Sequence, residues 1–261
     1  MDDVVEKAVQ RAIATMRDNL GEQITVDDMA RAAMFSKFHF TRVFQRVTGL
    51  SPARFLAALR LEQAKRLLVS TSLKVADISL RVGYSSVGTF SSRFTKSVGL
   101  SPAEYRRLGG YIPQIAVDES RRLAGLATTV VQGEVWPHRG DRQALVFVGL
   151  FPDRIPEGRP ARCAILAGPG PYRLDHVPPG PWYVMAYSLA TQRVELGRPP
   201  IADETSWVGI HGPLTIGSDT NTRVVDLRLR PMHTLDPPVL LALLDVRTQR
   251  ELGAPAPAGR N

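Results

Sequence analysis

The run from Ser36 to Tyr105 says nearly the same thing twice. Ser36, Phe40, Phe44, Gly49-Leu50-Ser51-Pro52-Ala53 and Phe55 recur as Ser86, Phe90, Phe94, Gly99-Leu100-Ser101-Pro102-Ala103 and Tyr105, each 50 positions later. Just upstream the offset is 49, with Met29-Ala30, Ala33 and Phe35-Ser36 answering to Ile78-Ser79, Val82 and Tyr84-Ser85. One copy therefore carries an extra residue in its turn. A short helix, a turn, a second helix and a Gly-x-Ser-Pro exit, present twice, is the pattern of two helix-turn-helix units.

Charge and proline divide the 261-residue chain near Leu108-Gly109-Gly110. Up to Leu108 there are 17 Lys and Arg against 10 Asp and Glu, so almost all of the net +8 lies there. Of the 20 prolines, only Pro52 and Pro102 precede the boundary. A basic, proline-poor half and a neutral, proline-rich half predict two domains of different architecture. The positive excess suits a polyanion, or equally a solvated surface, and the repeat has to decide between them. Cys163 is the only cysteine, which excludes an internal disulfide and a cysteine-based metal site. Met1-Asp2-Asp3 is acidic rather than apolar, and no run approaches the roughly 18 residues that span a membrane. The expectation is a soluble, cytoplasmic protein without membrane contact.

In the first half, Val9, Ile13, Met16 and Leu20 mark one stripe of an amphipathic helix over Val5–Leu20, stopped by Gly21. Thr25 is placed to cap a helix over Val26–Ala33, with Asp27 and Asp28 in its first turn. Met34-Phe35 forms a turn, and Ser36 caps a helix over Lys37–Val47 whose inner face is Phe40, Val43 and Phe44. Pro52 opens a longer helix carrying Ala57, Leu61, Ala64 and Leu68 on one side. The second unit follows as Val75–Val82, a turn at Gly83-Tyr84, a helix from Ser86 to Val98, and a last short helix from Pro102.

Phe38-His39-Phe40-x-Arg42-x-Phe44 with Gly49-x-Ser51-Pro52, and Gly83-Tyr84-Ser85-Ser86 with Phe90, Phe94, Gly99-x-Ser101-Pro102 and Tyr105-Arg106, resemble the DNA-binding domain of the AraC/XylS family of transcription regulators. The resemblance covers residues 6–107. It implies two recognition helices joined by a linker helix of about 20 residues, roughly 30 Å long, a length suited to successive major grooves about 34 Å apart. By the family's helix positions, Phe38, Thr41 and Arg42 face the first groove and Val87, Thr89, Ser91 and Ser92 the second. Arg42 is the candidate for guanine, whose O6 and N7 a guanidinium engages together. An arginine is common in the family where Ser92 stands, so the second unit is expected to hold the backbone more than to read bases. Ser36, Arg46, Ser86, Arg93 and Lys96 are the candidate phosphate contacts. The resemblance further implies double-stranded DNA as partner, with RNA polymerase and a small-molecule effector as others, in a monomer or homodimer.

From Ile112 onward the pattern changes to short β-rich runs between Gly and Pro punctuation. The predicted strands are Thr129–Val135, Ala144–Phe151, Arg162–Leu166, Tyr172–Leu174, Trp182–Leu189, Trp207–Ile210 and Arg223–Leu229, enough for a sandwich or barrel. Gly133-x-Val135, Val146–Phe151, Pro171-Tyr172 and Val177-Pro178-Pro179-Gly180 resemble the prealbumin-like module found beside carboxypeptidases. Pro237-Pro238-Val239–Leu244 is a final apolar segment, strand or short helix, expected to dock on the sandwich.

Neither a metal site nor catalysis finds support. His138, His176, His211 and His233 lack partners at ligand spacing, and Cys163 reads as a small core residue in a strand. The β half remains open between an effector domain, with Trp136, Trp182, Tyr183 and Trp207 as pocket walls, a dimerisation or partner module, and a stabilising appendage.

The reading is multidomain, α plus all-β. It has an N-terminal all-α domain with two helix-turn-helix units (6–107), a linker (108–128), a C-terminal antiparallel β-sandwich (129–250) and a disordered tail (251–261). Functionally it is a sequence-specific DNA-binding transcription regulator without a cofactor. The alternatives are a non-specific DNA-binding protein and a DNA-tethered enzyme with a catalytic β domain.

Overall fold

A computed structural model describes residues 2–112, 129–138, 145–189, 207–217 and 222–244. Residues 113–128 of the expected linker (108–128) and the expected tail lie outside them. Seven helices come first: α1 (Asp2–Asp18), α2 (Val26–Ala32), α3 (Lys37–Thr48), α4 (Pro52–Ser70), α5 (Val75–Arg81), α6 (Val87–Val98) and α7 (Pro102–Arg107). Their ends follow local chemistry. Thr25 and Asp28 form a reciprocal capping box ahead of α2. Ser51 and Ser101 cap helices whose first residue is proline, and Gly49 and Gly99 end α3 and α6 in the left-handed region. The largest differences from expectation are in α1, which begins at Asp2 and stops at Asp18, so that Asn19-Leu20-Gly21 already belong to the turn.

The repeated phenylalanines are the core, twice over. Phe40 packs on Phe44 at 5.4 Å between ring centroids, and Phe44 on Phe55 at 5.4 Å. In the second unit Phe90 meets Phe94 at 5.6 Å, and Phe94 meets Tyr105 at 5.6 Å. α4 departs from the single stripe expected of it. Leu61, Ala64 and Leu68 are buried as predicted, but so are Phe55, Leu56, Ala58, Leu59 and Glu62, while Ala57 is half-buried. A helix apolar on most sides is an enclosed helix, and α4 is enclosed by both units and by the β half.

The strands are β1 (Tyr111–Ile112), β2 (Val130–Trp136), β3 (Leu145–Phe151), β4 (Arg162–Leu166), β5 (Pro171–Leu174), β6 (Gly180–Leu189), β7 (Trp207–Ile216), β8 (Thr222–Val224), β9 (Leu227–Arg228), β10 (Arg230–Pro231) and β11 (Leu243–Leu244). A five-stranded antiparallel sheet runs β10-β7-β6-β3-β4. A smaller sheet pairs β5 antiparallel with β2, and β2 in turn pairs with β8 and β9 in parallel. The sheets face each other across Val131, Val146, Val148, Val184, Trp182 and Leu227. Each predicted strand is present; β7 runs on from Ile210 to Ile216, and the run Arg223–Leu229 is broken into short pieces.

The last apolar segment is neither a helix nor one continuous strand: it is irregular with a bend at Leu241, becomes strand only at Leu243–Leu244, and packs on more than the sandwich. Leu240 and Ala242 belong to the helical core, whereas Val239 and Leu241 pack on the outer face of the large sheet with Phe147, Phe151, Met185 and Tyr187. Alternate residues of this strap thus have apolar partners on opposite sides. The Lys65 ammonium, from the middle of α4, donates to the carbonyls of Val239 and Leu241 at 2.9 and 3.2 Å. Beyond the strap, β11 pairs in parallel with β1, immediately after the helical half.

Candidate nucleic-acid interface

The two turns that set α3 and α6 are built alike. In the first, the Phe35 amide donates to Ala30 O at 3.0 Å, and in the second the Tyr84 amide donates to Ser79 O at 2.9 Å. Both turns need a left-handed residue, supplied by Met34 (φ 61) and by Gly83 (φ 84). Three residues separate Val82 from Ser86 where two separate Ala33 from Ser36, so the extra residue lies in the second turn. The Ser86 hydroxyl accepts from the Thr89 amide at 3.4 Å, while Ser36 occupies the same place with no side-chain cap.

With Phe40, Val43 and Phe44 turned inward, the opposite side of α3 faces solvent. Phe38 is 83% exposed and Arg42 is exposed one turn on, with Gln45 and Arg46 beyond. Thr41 is half-buried and its hydroxyl bonds back to Lys37 O at 2.9 Å. On α6, Val87, Thr89, Ser92 and Lys96 are exposed, whereas Ser91 and Arg93 are half-buried. Phe38 standing clear of the core is notable, because burying a phenylalanine is worth about 1.5–3 kcal/mol and here that gain is forgone.

The two faces differ in chemistry. Lys37, Arg42 and Arg46 give α3 a cationic surface, of which only Lys37 is paired among the described residues, to Asp27 at 2.7 Å. The α6 face carries hydroxyls and a single exposed cation, Lys96.

Several cations of the helical half serve the fold instead. Arg60 donates to Leu20 O and Glu22 O, and Arg106 donates to Leu68 O and Leu73 O. Arg54 reaches Asp153 at 2.9 Å and Glu157 at 3.1 Å, both on the loop after β3. Burial disfavours the Arg54 charge, but the two carboxylates more than offset this and its pKa stands above the ordinary value. Net charge could not have separated these arginines from the exposed ones. Their only sequence sign is position: Arg54 lies in the first turn of α4, whose matching residue in the second unit is Glu104.

The four aromatic residues expected to wall a pocket in the β half do not meet in one place. Trp182 is buried in the sandwich, its indole N–H donating to Pro178 O at 2.8 Å. Its neighbour Tyr183 packs on the opposite face of that sheet. Trp207 stacks on His138 with centroids 4.4 Å apart, and Trp136 is exposed at the end of β2. An open groove of about 600 Å³ lies elsewhere, lined by Gln132, Tyr172, Arg173 and Val224 among others. Cys163 is half-buried, and burial raises its thiol pKa to about 11. Among the described residues no group of His, Cys, Asp or Glu is placed to hold a metal ion, and no helix is long and apolar enough to cross a membrane.

A helix-turn-helix domain family matches residues 29–108. The lactose operon transcription activator of Staphylococcus xylosus is 36% identical over 104 residues, which is 40% of this chain and 37% of that protein. The transcriptional activator AarP of Providencia stuartii, of helix-turn-helix type, is 30% identical over 98 residues, covering 38% of this chain and 73% of AarP. Among solved structures, an AraC-type regulator from Chromobacterium violaceum aligns with a TM-score of 0.39 at 30% identity, over 40% of this chain and 93% of that one. The chain thus spans little more than a third of the first of these relatives.

Proposed function

Because the chain belongs to the AraC/XylS family of transcription regulators, we propose that it reads DNA sequence by placing α3 and α6 in successive major grooves of one duplex face. The observation that carries this reading is a pair of like-built helices, both uncovered on their outer sides, held by a 19-residue linker helix that is itself enclosed. At 1.5 Å per residue that linker is about 28 Å long, close to the 34 Å groove repeat. Arg42 reads guanine in the first groove, with Phe38 and Thr41 against a thymine methyl or a sugar. Val87, Thr89, Ser91 and Ser92 offer the second groove hydroxyls and a methyl-bearing surface. Ser36, Arg46, Ser86, Arg93 and Lys96 hold phosphates, which positions the helices without itself selecting bases.

The division of labour follows the chain: residues 6–107 bind DNA, and the β half acts through them by binding an effector or a protein. Selection of bound sequences from a random duplex library tests this. The full chain is expected to enrich two blocks about one helical turn apart, whereas no enrichment would sink the reading in favour of non-specific binding.

A further inference from the structure

The two copies of the repeat differ in chemistry at two places that one carboxylate brings together. Where the first unit has Val47 the second has Ser97, and where the second has Glu104 the first has Arg54. Glu157, on the loop that follows β3, accepts from Arg54 Nη2 through Oε1 at 3.1 Å and from the Ser97 hydroxyl through Oε2 at 2.8 Å. Arg54 lies in the first turn of α4, directly after α3, and Ser97 in the last turn of α6, so a single side chain of the β half joins the start of the linker helix to the second unit.

The surrounding loop repeats the pattern. The Gly158 amide donates to Ser97 O at 2.7 Å, and Ile155 is buried in the helical core. Arg154 lies over Gly49, the cap of α3, so closely that a Cβ there would fall 2.3 Å from its Cδ. The loop is anchored in turn, because Pro156 O accepts from the amides of Leu240 and Leu241 in the strap. Within the helical half, α3 packs on α1, α2 and α4, while α6 packs on α5 and α7. Besides the neighbouring helices, the β half links the two recognition helices through this loop and through the strap, whose Ala242 amide donates to Val98 O at 3.0 Å.

We propose that the 153–158 loop is a brace and Glu157 a positioning residue, which together fix the separation and angle of α3 and α6 and so the base-pair spacing at which the protein accepts its two half-sites. The second clause rests on the reading that both helices enter DNA; the first does not. The β half is then a determinant of specificity that touches no base.

The test uses the full chain, with Cys163→Ala and spin labels at Gln45→Cys and Thr95→Cys, equivalent exposed positions on α3 and α6. Dipolar spectroscopy without DNA is expected to show one narrow distance in this background and a broadened or shifted one when Glu157→Ala is added. Asp153→Ala, which removes a carboxylate bound only to the first unit, is expected to leave the distance narrow. A folded Glu157→Ala protein with an unchanged distribution, or equal broadening by both variants, would overturn the brace. Library selection supplies the second readout. Glu157→Ala is expected to enrich the same two blocks but to lose roughly tenfold of its preference for one spacing, the scale of one charged hydrogen bond. An unchanged spacing preference would overturn the role in specificity. If the parent chain enriched no two-block site, the DNA reading would fall and the distance measurement would still decide the brace.

Discussion

Lys65 Nζ donates to the carbonyl of Val239 at 2.9 Å, across 174 residues of chain. It ties the middle of the linker helix to the strap that lies between helices and sheet. Burial pushes the Lys65 ammonium down to about 8, since the charged form is the one that desolvation disfavours. Between that value and the ordinary lysine value, the unfolded chain holds a proton that the folded one has released. Stability contributed by this group therefore rises with pH across that window. Denaturant midpoints at pH 7.5 and 9.5 are expected to differ in that direction, and the difference is expected to vanish in Lys65→Met. Above about pH 10 the buried phenols of Tyr172 and Tyr187, pushed up by burial, reverse the trend as the unfolded chain ionises.

Leu240 is buried in the helical core while its neighbour Leu241 packs on the sheet. Truncation in Leu240→Ala is expected to cost about 2–5 kcal/mol. Because the strap is shared, the far-ultraviolet helix signal and the near-ultraviolet tryptophan signal are both expected to melt earlier. Loss of one alone would mean that the halves unfold independently.

Met34 is 81% exposed at φ 61, in a turn where the second unit has glycine. Holding a side chain there costs about 1 kcal/mol, so Met34→Gly is expected to raise the melting temperature. The reverse exchange is not equivalent. A Cβ at Gly83 would fall 2.4 Å from Leu20 O, against backbone that cannot turn aside. Gly83→Ala is therefore expected to destabilise by more than Met34→Gly gains.

The caps of α3 and α6 make a paired test. Ser86→Ala removes an acceptor from the Thr89 amide and is expected to cost about 1 kcal/mol. Ser36→Ala removes no such bond and is expected to leave the denaturant midpoint nearly unchanged.

Arg42 and Arg46 lie on the same exposed side of α3 but have different proposed tasks. Arg42→Ala is expected to lose about 1–3 kcal/mol on selected sites and to relax preference at one position. Arg46→Ala is expected to weaken all duplexes alike and to lower the salt slope by about one. Titrations at two salt concentrations separate the two cases.

Where the governing signals are local, they were legible. The Phe40–Phe44 and Phe90–Phe94 pairs lie one helical turn apart, and Ser-Pro and Gly caps bound the helices to within a residue or two. Strands such as Arg162–Leu166 carried their own punctuation. Alternation along β6 also held the information that Trp182 and Tyr183 face opposite ways, which argues against their sharing one pocket.

The sequence alone determined the twofold helical unit, its turns and the succession of strands, because capping, helical spacing and left-handed glycines act within a few residues. Tertiary structure decided which arginines remain exposed and which, like Arg54, are engaged 103 residues away. It also decided that the strap serves two cores at once, since neighbouring apolar residues in an irregular segment have no period that names their partners. Such contacts depend on which surfaces the fold brings together, and hydrophobic attraction is not directional. Composition specifies that Leu240 and Leu241 will be buried; only the packed chain specifies against what.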